Sequence, residues 1–128
     1  GLERADRISP TGSALRRGMI FTEHHDAPVI PPNSMMTLDA TVNRTTRSGK
    51  ILGQDQKVSP YIALKSMTDW AAYQYFEEDR KGTLTAGKLA DFVILSDNPI
   101  TVKPQQIKNI KILATYKEGQ AVYQAPEK

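Results

Sequence analysis

Residues 82–97, with the sequence GTLTAGKLADFVILSD, decide how the fold is interpreted. The four consecutive apolar residues Phe92–Leu95, two of them β-branched, predict a short buried strand. Gly82 and Gly87 predict a tight turn before the strand, because glycine adopts positive φ at little cost. The strand should end at residues 97–99, since the residue before a proline is disfavoured in regular structure. On its own, the stretch therefore predicts a glycine turn followed by a core strand.

The pattern Gly-x-Leu-x-x-Gly-Lys-x-Ala-Asp-Phe-Val-Ile-Leu also occurs in this stretch, with Lys88, Ala90 and Asp91 at its centre. It resembles the C-terminal segment of metal-dependent amidohydrolases, where the chain leaves the catalytic barrel and enters a small β-sandwich. The resemblance implies an α/β composite fold. Residues 1–80 would be the last helix-strand-helix part of a TIM-type barrel, and residues 81–128 would supply strands of the β-sandwich.

The composition indicates an ordinary soluble globular domain, with 39% hydrophobic and 24% charged residues in a chain of 128. It contains no apolar run of about 18 residues, so no membrane span is expected. The absence of cysteine excludes disulfides and thiolate metal sites, and it fits a cytoplasmic protein. The net charge is only +3 and the basic residues are scattered, which argues against nucleic-acid binding.

The N-terminal part predicts one α/β step of a parallel sheet. Residues 2–17 have helical spacing in two pieces, and Gly18 is a natural helix stop. The apolar residues 19–22 then predict a buried strand. Because the chain begins with Gly1 rather than methionine, we expect a processed start or a piece of a longer protein.

A helix should follow over residues 34–46, with Met35, Leu38 and Val42 as its apolar stripe. The polar segment 47–57 contains two glycines and is long for a connection inside a compact domain. Two interpretations remain open for it, a binding loop and a solvated connector.

The second half of the chain predicts two further helices and a β-hairpin. One helix should begin at residues 59–60, where serine precedes proline, and another should begin after a cap at Thr68. Alternating apolar residues predict a strand over 110–116 and a return strand over 121–123. Residues 118–119, Glu-Gly, would form the hairpin turn between them.

One group of residues can carry chemistry: His24, His25 and Asp26, at the end of the predicted strand 19–22. In α/β folds, functional side chains collect at the carboxyl ends of strands. Imidazole and carboxylate both bind zinc, and a carboxylate beside a metal can accept a proton from water. By spacing alone, neighbouring histidines in a loop are more often surface or supporting groups than metal ligands.

Residues 19–29 resemble the last barrel strand of the amidohydrolase superfamily, in the branch of broad-specificity amidohydrolases related to D-aminoacylases and N-substituted formamide hydrolases. The resemblance implies that Asp26 binds the metal or accepts the proton of the attacking water. His24 stands where this branch has a histidine. His25 replaces a residue that is usually small, which suggests a substrate-side role for it. We therefore assign Asp26 as catalytic and metal-binding, and His24 and His25 as substrate-binding.

The resemblance covers only the C-terminal end of such an enzyme, because the other metal-binding motifs of the family do not occur here. It implies a hydrolase of non-peptide, amide-like carbon–nitrogen bonds, which acts on a small molecule with a divalent metal, expected to be zinc. The isolated chain should hold no metal and be inactive. It should also self-associate, because barrel strands without neighbours expose unpaired edges and apolar faces.

The alternative hypothesis is a non-catalytic α/β scaffold or partner-binding module that folds alone. It would use the same helices and strands, and the sandwich-like strands would form its binding surface. The two hypotheses differ in whether Asp26 belongs to a larger catalytic site.

Overall fold

The computed structural model describes residues 1–126 of the chain, and the side chain of Leu2 is left out of the description. Within these residues the chain forms five short α-helices, two 3-10 helices and three β-strands. The α-helices are α1 (Leu2–Ala5), α2 (Thr11–Arg16), α3 (Ser34–Asn43), α4 (Pro60–Met67) and α5 (Asp69–Gln74). The first 3-10 helix spans Gln54–Gln56 and the second spans Pro104–Asn109. The strands are β1 (Phe92–Leu95), β2 (Ile112–Lys117) and β3 (Gln120–Gln124).

The three strands form one antiparallel sheet in the order β1-β2-β3. Phe92 lies opposite Tyr116, and their rings stack with centroids 4.6 Å apart. The predicted hairpin turn is confirmed, because Glu118 and Gly119 both have positive φ, 51° and 79°. This backbone geometry matches the right-handed twist of the flanking strands.

The predicted strand at residues 19–22 and the parallel α/β step are wrong, because these residues are irregular and the sheet is antiparallel. Met19 and Ile20 are 57% and 44% exposed. The physical reason is that no strand lies beside this segment within residues 1–126, so its backbone has no ladder to join. It is held instead by a hydrogen bond from the Glu23 N–H to the Ser66 carbonyl (3.4 Å) and by the ring of Phe21, whose edge packs against Trp70.

The predicted strand Phe92–Leu95 is confirmed as a strand, but it is not buried along its length. Val93 and Ile94 are 49% and 44% exposed. The reason is that the faces of the sheet are only partly covered at β1, which is also an edge strand that, among residues 1–126, pairs with β2 alone. The turn before it is confirmed, with positive φ at both Gly82 and Gly87. A Cβ atom on Gly82 would lie 2.8 Å from the Cβ of Ala72, so that position also requires glycine for space.

Helix α3 is the central element of the core. Asn33 caps it by accepting a hydrogen bond from the Met36 N–H (3.1 Å), and the predicted stripe of Met35, Leu38 and Val42 is buried. The stripe packs in one hydrophobic cluster with Ile107 of the second 3-10 helix, and both Leu38 and Ile107 are 0% exposed. The core therefore joins the middle of the chain to the segment just before β2.

Helix α4 packs against the same cluster, with Ala63 in the cluster and Ile62, Leu64 and Met67 beside it. Ser59 caps it by accepting from the Ile62 N–H (3.3 Å), with Pro60 at the first helical position as predicted. Thr68 stands at the start of α5, but the predicted cap is wrong, because its hydroxyl donates to the Leu64 carbonyl at 2.8 Å. None of the helices within residues 1–126 is long and apolar enough to cross a membrane.

The burial of Leu38 predicts a large loss of stability on truncation. Leu38→Ala should lower the free energy of unfolding by about 2–5 kcal/mol, because it removes apolar contacts and leaves a cavity. Met36→Ala is the matched control on the same helix, since Met36 is 44% exposed; it should cost less than about 1 kcal/mol. Urea unfolding of both variants measures the difference, and equal losses would contradict the placement of α3.

Candidate functional site

His24 and Asp26 are brought together by a turn and not by a strand face. Asp26 has a left-handed backbone (φ 53°), and its N–H donates to Nδ1 of His24 at 3.0 Å. The Val29 N–H donates to the Asp26 carbonyl at 2.8 Å and closes the turn. Aspartate tolerates this backbone region better than most residues do. The turn leaves the side chains of both His24 and Asp26 exposed to solvent.

The hydrogen bond from the Asp26 N–H determines which ring nitrogen of His24 can donate a hydrogen bond. A backbone N–H is always the donor, so Nδ1 of His24 is an acceptor and carries no proton. In the neutral imidazole the proton then sits on Nε2, which becomes a hydrogen-bond donor. In this arrangement His24 can donate to a ligand oxygen, but its Nε2 has no free lone pair for a metal ion.

His25 differs from its neighbours in being partly buried. Its Nδ1 atom is enclosed and has no hydrogen-bond partner within residues 1–126. Leaving a buried polar atom without a hydrogen bond costs about 1–3 kcal/mol. The burial of this nitrogen therefore does not stabilise the chain. The structure therefore groups His24 with Asp26 and leaves His25 apart from them.

A cleft of about 430 Å³ lies beside the turn and includes His24 in its wall. It is lined by α3, by the segment that follows α3, and by residues before α3. The lining residues are Ile8, Ser9, Glu23, His24, Ile30, Met36, Thr37, Asp39, Ala40, Thr41, Arg44, Thr45, Thr46, Arg47 and Leu52. The cleft thus combines apolar side chains with groups that carry charge.

Glu23 is the half-buried carboxylate of this cleft. Burial raises the pKa of Glu23 above its ordinary value of 4.5, and the charge of Arg44 offsets this only in part. Within residues 1–126, no protein group donates a hydrogen bond to its carboxylate. Glu23 is therefore a partly desolvated carboxylate that accepts no hydrogen bond from the protein within residues 1–126.

Arg44 holds the walls of the cleft together. It ends α3 with a left-handed backbone (φ 55°). Its guanidinium donates three hydrogen bonds to carbonyls: Nε to Leu52 (2.6 Å), Nη1 to Ser9 (2.9 Å) and Nη2 to Ile8 (2.5 Å). The planar fork of arginine suits several acceptors at once. Arg44 therefore joins the N-terminal segment to the segment after α3.

The segment 47–57, predicted as a binding loop or a connector, begins inside a short hairpin and then contains the first 3-10 helix. Thr45 and Ile51 form a β-bridge, and the Thr46 N–H donates to the Lys50 carbonyl at 2.8 Å. We call residues 45–51 the 45–51 hairpin. Gly53 follows it with φ 56°, and a Cβ atom there would lie 2.2 Å from the Asp6 carbonyl oxygen, so only glycine fits. Both interpretations of this segment stay open.

A complete metal site does not fit this part of the chain. Within residues 1–126, no three histidine, aspartate or glutamate side chains lie close enough together to hold a metal ion. The carboxylate of Asp26 is exposed and fits the role of one ligand. His24 does not add a second while its Nδ1 accepts from Asp26.

Sequence reasoning missed two residues of the cleft. Glu23 carried a signal, because it directly follows the predicted strand 19–22. Arg44 carried none that separates it from Arg47, which is exposed on the hairpin. Only the fold shows that one of these arginines binds three backbone carbonyls.

The sequence profile described as the amidohydrolase family matches residues 1–123. YtcJ of Bacillus subtilis (strain 168), a protein named as an amidohydrolase, is 26% identical over 127 residues, which are 97% of this chain and 24% of that protein. An N-substituted formamide deformylase from Arthrobacter pascens is 26% identical over 121 residues, which are 92% of this chain and 22% of that enzyme. The chain thus spans about a quarter of the length of these relatives.

The fold is similar to part of the crystal structure of an amidohydrolase from Thermotoga maritima MSB8. The TM-score is 0.65 at 22% sequence identity, and the match covers 87% of this chain and 24% of that one. At this identity the likeness concerns the fold.

The raised pKa of Glu23 predicts a pH-dependent change in stability. Because folding raises this pKa, the ionised carboxylate opposes folding, and the cost appears as the pH rises above 4.5. Glu23→Gln removes the charge and should raise the melting temperature at about pH 7, whereas near pH 3.5 the two proteins should unfold alike.

Thermal unfolding at the two pH values measures this effect. Glu118→Gln is the matched control, since Glu118 is exposed at the β2–β3 turn and far from the cleft in sequence. It should change the melting temperature little at either pH. A Glu23→Gln protein that is less stable at neutral pH would show that the ionised carboxylate stabilises the fold.

Proposed function

The chain belongs to the amidohydrolase family, and we propose that it is the C-terminal part of a metal-dependent hydrolase of amide-like, non-peptide carbon–nitrogen bonds. The observation that carries the proposal is the family match over residues 1–123. The motif of residues 19–29 falls inside this match and contains an exposed aspartate, Asp26, on a defined turn. The substrate of the whole protein would be a small molecule.

In this proposal residues 1–80 complete a TIM-type barrel and residues 81–128 complete a β-sandwich. Residues 19–22 have no neighbouring strand within residues 1–126, which is consistent with a segment whose neighbours lie in the rest of the parent protein. The edge position and partial exposure of β1 support this division in the same way.

Asp26 is the catalytic residue and the metal ligand of the proposal. The Asp26 N–H donates to Nδ1 of His24, and the Asp26 carbonyl accepts from the Val29 N–H. These two hydrogen bonds fix the turn and leave the carboxylate accessible. This carboxylate accepts a proton from the attacking water and returns it to the leaving nitrogen. General acid–base catalysis of this kind contributes about 10²–10⁴-fold to the rate.

A divalent metal, which we propose to be zinc, would supply Lewis acidity and lower the pKa of water when it is bound. In this chain Asp26 is the ligand that fits it. Because one carboxylate does not hold zinc, the remaining ligands would come from other parts of the parent protein.

His24 and His25 lie on the substrate side in this proposal. The Nε2–H of His24 donates a hydrogen bond to a substrate oxygen, because Nδ1 is engaged by the Asp26 N–H. His25 has an enclosed Nδ1 without a partner within residues 1–126, which supports a contact to a group supplied by the substrate or by the rest of the protein.

A second candidate function, a non-catalytic partner-binding module, is favoured by one observation. Phe76 and Leu84 are 90% and 81% exposed, and an apolar cleft of about 590 Å³ is lined by Leu84, Tyr75 and Phe92 among others. Exposed apolar surface of this kind marks contact sites. It also supports self-association of the chain when it is separated from the rest of the parent protein.

Replacing the catalytic carboxylate tests the proposal in the complete enzyme. Asp26→Asn should lower kcat by about 10²–10⁴-fold, because the amide is nearly isosteric but does not accept a proton. Asp79→Asn is the control, since Asp79 is an exposed aspartate of the same chain. Both variants should keep the wild-type melting temperature within a few degrees, and normal turnover by Asp26→Asn would remove Asp26 from its role.

The chain alone should neither bind zinc tightly nor hydrolyse amides, because Asp26 is the only ligand that residues 1–126 supply at the proposed site. Calorimetric titration with zinc, together with an assay on N-formyl amines, measures both properties. Stoichiometric binding with turnover would show that residues 1–128 contain a complete site.

A further inference from the structure

The cleft beside the His24–Asp26 turn contains a carboxylate that the proposed mechanism does not use. Glu23 is half-buried, and no protein group within residues 1–126 donates a hydrogen bond to it. A desolvated acceptor without a partner is costly, so such a group is expected to meet a donor when the site is occupied.

We propose that this cleft binds the amine side of the substrate and that Glu23 is the residue that recognises it. The ligand class is an amino or ammonium group that carries N–H donors on a short aliphatic body. The inference rests on the proposed hydrolase function, since cleavage of an amide-like bond releases an amine. Glu23 is assigned as a specificity-determining residue that accepts a hydrogen bond from the ligand nitrogen.

Two carboxylates and two arginines line the cleft, and the contacts of these groups leave Glu23 as the one we expect a ligand to meet. Three N–H groups of Arg44 are already engaged with backbone carbonyls, and Arg47 is exposed to water. Asp39 is a second carboxylate of the lining, and it accepts from the Asn43 side chain at 2.9 Å. An electrostatic contact is stronger where water is partly excluded, which is the situation of Glu23.

The rest of the lining suits the carbon body of such a ligand. Ile8, Ile30, Met36, Ala40 and Leu52 provide apolar surface in the same cleft. A volume of about 430 Å³ accommodates a small organic molecule. An alkyl amine can therefore place its nitrogen at Glu23 and its carbons on these side chains.

The position of the cleft connects it to the proposed reaction. His24 lines the cleft and is bonded through Nδ1 to the backbone of Asp26. The amine part of a substrate bound there lies next to the turn that carries the catalytic carboxylate. Arg44 ties two lining residues, Ile8 and Leu52, together through their carbonyls, so the cleft is formed before the ligand arrives.

Titration of the 128-residue chain with n-butylammonium, followed by NMR, tests the inference. The amide signals of Glu23, His24 and Thr45 should shift, and Glu23→Gln should weaken binding by about tenfold or more, because a charge-assisted hydrogen bond is lost. Glu118→Gln should bind like the wild type. n-Butanol has the same carbon body without the ammonium group, and it should bind at least about tenfold more weakly.

A residue with a merely structural role would give a different result. Glu23→Gln is expected to keep the fold and to gain stability at neutral pH, so a loss of amine binding in this variant cannot come from unfolding. Equal affinity of Glu23→Gln and wild type, an equal loss in Glu118→Gln, or equal binding of n-butanol would each overturn the inference.

The same experiment separates this inference from the proposed function, because amine binding does not require hydrolysis. Binding that depends on Glu23, together with a parent protein that does not hydrolyse amides, would overturn the hydrolase proposal and keep the cleft as an amine site. An active parent enzyme whose chain does not bind the amine would overturn the inference alone.

Discussion

The packing of Leu38 in α3 against Ile107 holds this chain together. Both side chains are fully buried, and they come from segments far apart in sequence. The side chain of Asn43 reinforces the contact by donating to the Pro104 carbonyl at 2.8 Å. Because the turn with Asp26 lies before α3, and β2 follows the second 3-10 helix, this one contact relates the candidate site to the sheet.

The cleft depends on the end of the same helix. Arg44 leaves α3 in a left-handed conformation, which turns the chain back along the helix. Its guanidinium then binds carbonyls on either side, in the N-terminal segment and at Leu52. Helix α3 therefore lines the cleft, and Arg44 at its C-terminal end binds the N-terminal segment and Leu52 by hydrogen bonds. A site built in this way is rigid even though much of it lies on irregular backbone.

The sequence predicted the elements whose signals are local. The stripe of α3, the serine-proline start of α4 and the Glu118–Gly119 turn depend on neighbouring residues, and each is confirmed. The strand at 19–22 failed because a strand is defined by a partner, and residues 1–126 contain none beside it. The hydrogen bond from the Asp26 N–H to His24 could not be predicted from the sequence either. It depends on a turn that the spacing of the residues does not specify.

Missing partners also explain why polar groups of the candidate site are unfavourable for the stability of this chain. Glu23 and His25 each have a polar group that is partly or wholly removed from water and has no partner within residues 1–126. Natural proteins keep such groups where the loss of stability is offset by a function. A carboxylate that opposes folding at neutral pH is useful when a ligand supplies the compensating positive charge. The unfavourable burial of Glu23 therefore supports the inference that the cleft binds a ligand.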